Sequence, residues 1–208
     1  LPSPTCPTIG EISKQRGIAG KVGVITAGWR EREHDDAELV AEVGLEAVNL
    51  GLYRRWREIA ADDTEYFDLH RARQDQLRQL QVAYRKRLRH LFSATRAVTQ
   101  LAMEQPALRP EVTHSLQMIA DLDRHHLRRV KEIHLAFEAE VKPGERPRIA
   151  REREEIAALL QGVEAVFIAG GHVAVLLNRL RLFAMRPLLL DRHVVAWSAC
   201  AMAMTPHV

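Results

Sequence analysis

The chain has 208 residues, 47% of them hydrophobic and 27% charged, the balance of a globular protein with a sizeable core. Thirty basic residues against 27 acidic ones leave a formal charge of +3, a mixed surface that argues against a nucleic-acid-binding track. The two cysteines, Cys6 and Cys200, fit neither a disulfide scaffold nor a zinc spacing, and no apolar run reaches the roughly 18 residues of a membrane span, so a reducing cytoplasm is the expected home.

The proline-bearing residues 1–17 read as an extended N-terminal arm. After it, Lys21 to Gly28 is short, β-branched and closed by glycine, as a buried strand running into a loop would be. Asp35 or Asp36 is placed to cap a following helix that Gly44 ends, and Ala47 to Leu50 supplies a second strand. Strand, helix and strand in so short a span begin a parallel α/β sheet.

That rhythm stops at 53–142, where apolar residues fall at helical spacing. Leu77, Leu80, Tyr84, Leu88 and Leu91 form one stripe, and Val112, Leu116, Ile119, Leu122, Val130, Ile133, Phe137 and Val141 a second. Pro106 and Pro110 break the chain between them, which predicts a helical hairpin or small bundle. This block holds 17 basic and 13 acidic residues and six of the ten histidines. Its run Arg85 to His90 lacks interleaved aromatics and reads as surface, and Asp121, His125, His126 and His134 read as a solvated face. Glu31 with His34 and Glu111 with His114 have the Glu-x-x-His spacing of di-iron bundles, but no shared face joins them, so no metal is expected.

Beyond the linker around Pro143 the α/β pattern returns. Arg148 to Leu160 is a helix, Ala165 to Ile168 a strand running into Ala169-Gly170-Gly171-His172, Val173 to Leu180 a helix, and Val194 to Trp197 a strand that meets Ser198. Ala196-Trp197-Ser198-Ala199-Cys200 matches a nucleophile elbow, in which small residues two before and two after the nucleophile let strand and helix approach. Centred on Cys200 the pattern puts bulky Met202 where a small residue is wanted, so Cys200 reads as a buried small hydrophobe and a cysteine glutaminase is the weaker alternative. Serine needs a base and an oxyanion site; the amides of Ala199 and Gly171 are placed to donate to the oxyanion. An ordinary strand-to-helix turn at Ser198 and a structural histidine at 172 are the alternatives.

FIAGGHVAVLLNRL followed by VVAWSACAM resembles the peptidase E and cyanophycinase group of serine hydrolases, within the class I glutamine amidotransferase-like fold. The resemblance covers roughly 18–50 and 150–208. It implies a three-layer, flavodoxin-like parallel α/β domain at 18–52 and 143–208, interrupted by a helical insertion at 53–142. It further implies cleavage of peptide or isopeptide bonds, with Ser198 as nucleophile, Gly171 and Ala199 as oxyanion amides, Gly170 and His172 against the substrate, and no cofactor. An acidic amide substrate would be drawn by Arg30, Arg179 or Arg181. His172 stands where these relatives carry asparagine, and Cys200 where they carry glycine. They also use a histidine well beyond the serine, and His207 is too close to serve, so the sequence reads as part of a longer chain whose sheet continues. The competing expectation is a silent scaffold of this fold whose helical insertion mediates self-association or partner binding.

Overall fold

The computed structural model of the protein describes residues 8–202 and 204. Its elements run α1 (Ile9–Gln15), β1 (Val22–Ile25), a 3-10 turn (Ala27–Arg32), α2 (Ala37–Val43), β2 (Ala47–Asn49), α3 (Leu52–Asp62), α4 (Thr64–Glu104), α5 (Arg109–Val141), α6 (Pro147–Leu159), β3 (Ala165–Ile168), α7 (Val173–Leu182), α8 (Met185–Leu189), β4 (His193–Ala196) and α9 (Ala199–Met202). They form two compact units: one joins the chain up to Asp63 with the chain from Pro143 onward, and the other is Thr64–Lys142. Among the described residues no helix is long and apolar enough to cross a membrane.

The first unit is α/β. Among the described residues its four strands are all parallel, in the order β2-β1-β3-β4. β1 and β3 bury every residue, because helices cover the sheet on both sides. On one face Val22, Val24, Ala165, Phe167 and Ala169 pack with Leu39 and Val43 of α2, and Ile9 of α1 leans on the same cluster. The alternate residues point the other way, where Gly23 lies against Leu160 and Val163 at the end of α6. Arg55 of α3 is buried in ion pairs with Glu152 and Glu155 of α6 and so joins those two helices.

Several boundaries differ from the sequence reading. Residues 9–15 form a helix in place of an extended arm: the Thr8 hydroxyl accepts from the Glu11 amide at 3.2 Å, the Glu11 carboxylate accepts from the Thr8 amide at 2.7 Å, and this reciprocal cap starts the helix. The division between units falls after Asp63, not at 52, since α3 belongs to the α/β unit. Asp36 occupies the cap position of α2 without capping it; its carboxylate instead accepts from Asn49 Nδ2 at 2.7 Å.

The second unit is a hairpin of two long antiparallel helices, α4 and α5, turned at Gln105–Leu108. Leu122, Ile133, Phe137 and Val141 of α5 are buried, as are Tyr66, His70, Thr95 and Ala102 of α4. Arg73 lays its guanidinium over the Phe137 ring at 4.1 Å. His126 is not a solvated residue: its ring stacks on Tyr84 with centroids 4.2 Å apart and bonds Gln81 at 3.0 Å, while Tyr84 donates to Asp123 at 2.8 Å. A position set by the helix period, between Leu122 and Val130, carries it into the seam.

Candidate active site

Parallel strands present their carboxyl ends together, and the order β2-β1-β3-β4 makes the crevice between β1 and β3 the point where successive connections part to opposite sides. Three glycines close that crevice. The carbonyl of Gly28, after β1, accepts from the His172 amide at 2.8 Å. A Cβ on Gly28 would lie 2.9 Å from the Gly170 carbonyl oxygen, and one on Gly171 2.6 Å from the Gly28 carbonyl carbon, so the two loops touch backbone to backbone. Gly171 also has φ +126°, a conformation that side chains rarely adopt.

β4 lies beside β3, and its turn reaches the same rim. Trp197 packs against the sheet core. Ser198 then has φ 61°, the left-handed region, where a non-glycine residue is strained. Ser198 is exposed and α9 begins at the next residue. A Cβ on Gly170 would lie 3.0 Å from Ser198 Cβ and 3.1 Å from its Oγ, so the glycine loop passes directly beside the hydroxyl. The structure thus brings together Ser198, Ala199, Gly170 and Gly171. Among the described residues no backbone hydrogen bond uses the amide of Gly171 or Ala199, and Ser198 Oγ bonds no histidine.

His172 is exposed and caps α7, its Nδ1 accepting from the Val175 amide at 3.3 Å, which gives it a structural task. Cys200 is fully buried, and burial pushes its thiol above the ordinary cysteine value, so it remains a thiol at neutral pH. His207 lies outside the described residues. Of the arginines expected near a substrate, Arg30 lines a cleft beyond β1 and β2, and Arg179 is 4% exposed, with its guanidinium over the Trp56 ring at 3.6 Å.

Sequence reasoning missed a cleft of about 780 Å³ beyond β1 and β2, lined among others by Arg30, Glu31, Asn49, Tyr53, Arg54 and Arg57. Arg30 forms its wall in a strained conformation, φ 62° and ψ −122°. Glu33 is its anchor. The carboxylate is buried and accepts from the amides of Tyr53 and Arg54 at 2.8 and 2.7 Å, capping α3 from a distant loop. Burial raises its pKa against those two amides, which pull it down. Asn49 reaches Thr26 Oγ1 and the Glu33 carbonyl, tying β2 to the loop after β1. The Glu31 carboxylate accepts from Tyr53 Oη at 2.8 Å, and His34 pairs with Asp35 at 3.2 Å, so that Glu-x-x-His pair is divided between two separate contacts. The visible signal was a run of alternating charges directly after a strand.

Scanned against protein-family models, curated proteins and solved structures, the chain matches none of them.

Proposed function

We propose that the α/β unit is a peptidase E-like serine hydrolase with a class I glutamine amidotransferase-like fold, cleaving peptide or isopeptide bonds through Ser198. One observation carries this reading: an exposed serine held at φ 61° between a parallel strand and a helix, with a glycine loop against its hydroxyl. The strand order supports it, being the start of the flavodoxin-like order. In this reading Oγ attacks the amide carbonyl and its proton passes to a base. The amides of Gly171 and Ala199 donate to the oxyanion, and the C–N bond breaks as the amine leaves with a proton. Water then releases the acyl group. Arg57, which lines the cleft beyond β1 and β2 and makes no ion pair among the described residues, is the cation there for an acidic group.

A silent scaffold of the same fold is the second reading. It is favoured by the use of His172 Nδ1 as a helix cap, which occupies the imidazole nearest in sequence to the glycine loop. A fluorophosphonate separates the two, because it phosphonylates, with loss of fluoride, only serines whose proton is taken up. Intact-mass analysis is expected to show one adduct, mapped to Ser198 and absent from Ser198→Ala. Full-length protein that is folded and stays unlabelled overturns the hydrolase reading.

A further inference from the structure

One side of the α4–α5 hairpin has the pattern of an unfinished four-helix bundle. Leu80, Ala83, Arg87, Leu91, Ala94, Val98 and Leu101 recur at intervals of three and four, a stripe on α4 adjoining the seam with α5 and apolar except for Arg87. Met118 and Leu122 continue it across α5. Between the helices runs a groove of about 710 Å³, floored by Leu91, Ala94, Met118 and Leu122 and rimmed by Arg87 and Asp121. Leu101 and Met118 on this side remain 50% and 44% exposed. Two helices alone cannot cover such a stripe, and the alanines leave room for helices to approach closely.

We infer that this face is covered by the same face of a second copy of the chain, making a two-fold, four-helix dimer. The charges are self-complementary in one arrangement. Tyr84 bonds Asp123 and Gln81 bonds His126, and both helices rise equally per residue, so Arg87 stands level with Asp121 to within about one residue. A two-fold axis parallel to the helices keeps every residue at its own height while placing α4 of one copy over α5 of the other. Each Arg87 then meets Asp121 of the second copy, twice per dimer, and every neighbouring helix pair is antiparallel. Arg87 has no ion pair among the described residues, and Asp121 is engaged by Arg124 only through Oδ1. The opposite face offers no such match: Arg85, Arg89 and Arg96 follow one another there around Phe92 without a carboxylate partner among the described residues.

The test is the mass of the full chain by sedimentation equilibrium over a dilution series. The expected species has twice the 23.6 kDa of one chain. Arg87→Glu and Asp121→Arg are each expected to weaken association about tenfold or more, and the double reversal to restore it to within about threefold. Met118→Lys, in the groove floor, abolishes it. A wild-type chain that is monomeric throughout overturns the inference, as does a dimer indifferent to either reversal, or a double variant no tighter than the singles. Far-UV circular dichroism checks that each variant retains its helices.

Discussion

β1 is four residues long and buries all four, whereas α4 runs for 41 residues and buries five, two of them His70 and Arg73. The contrast lies in how many neighbours each element has. A central strand of a parallel sheet is paired on both edges and covered on both faces, so every side chain is enclosed. A helix in a two-helix hairpin has one partner and encloses only a seam. Where three layers meet, single substitutions leave holes that nothing fills; in a hairpin the remaining helix can shift inward. The same difference decides what each unit can do. The α/β unit carries strained backbone at Ser198 and Arg30 beside its sheet, while the hairpin has apolar surface left to offer a partner.

Several experiments sharpen or break this comparison. The largest effect is chemical: Ser198→Ala is expected to lower any amide hydrolysis by about three orders of magnitude or more while leaving the dimer unchanged. Hydrolysis that survives unaltered would move the chemistry elsewhere. Next come two phenylalanines of equal size in unequal surroundings. Phe167→Ala, fully buried in β3, is expected to cost about 4 kcal/mol, and Phe137→Ala, in the hairpin seam, about 2 to 3 kcal/mol. All three tryptophans, Trp29, Trp56 and Trp197, belong to the α/β unit, so urea unfolding followed by their fluorescence reads that unit, while helix ellipticity also reads the hairpin. Equal costs would mean the hairpin is as fully packed as the sheet.

Gly171→Ala should cost about 2 to 3 kcal/mol by the fluorescence signal, since its methyl would meet the Gly28 carbonyl at 2.6 Å from a positive φ. An unchanged midpoint would show that the loops separate easily. The smallest effect concerns His126, which burial holds below the ordinary histidine value despite the opposing pull of Asp123. On acidification the unfolded chain therefore takes up this proton first, near about pH 6.5, and stability falls from there down through the lower folded value. The hairpin's urea midpoint should drop over that interval, and His126→Gln should flatten the drop; an unflattened drop assigns it to other groups.

Much of the fold was legible because burial writes itself into residue type. The β-branched runs Val22–Ile25 and Ala165–Ile168 declared the central strands, and the spacing of Leu77 through Leu91 declared the hairpin. The turn at Ser198 was visible from its small neighbours, and the glycine pair from its lack of side chains. What stayed hidden depended on groups far apart in sequence. Nothing local says that Glu33 will cap α3, that Gly28 will touch Gly171, or that His126 will stack on Tyr84. The helix at residues 9–15 was obscured by the prolines before it, although Thr8 and Glu11 carried its signal. The alternating charges of residues 30–36 resembled a solvated loop, and only the fold turns them into the wall of a cleft.

The contact of Gly28 with Gly170 and Gly171 has a mechanical consequence. Ordinary loops meet through side chains, whose rotations absorb small displacements before they travel further. Here bare peptide planes bear on one another, and the Gly28 carbonyl is tied to the His172 amide. A molecule that pushes on the segment after the first strand thus shifts the ground beside Ser198 without any rotamer to cushion it, and slower deuterium uptake at the His172 amide would register its arrival.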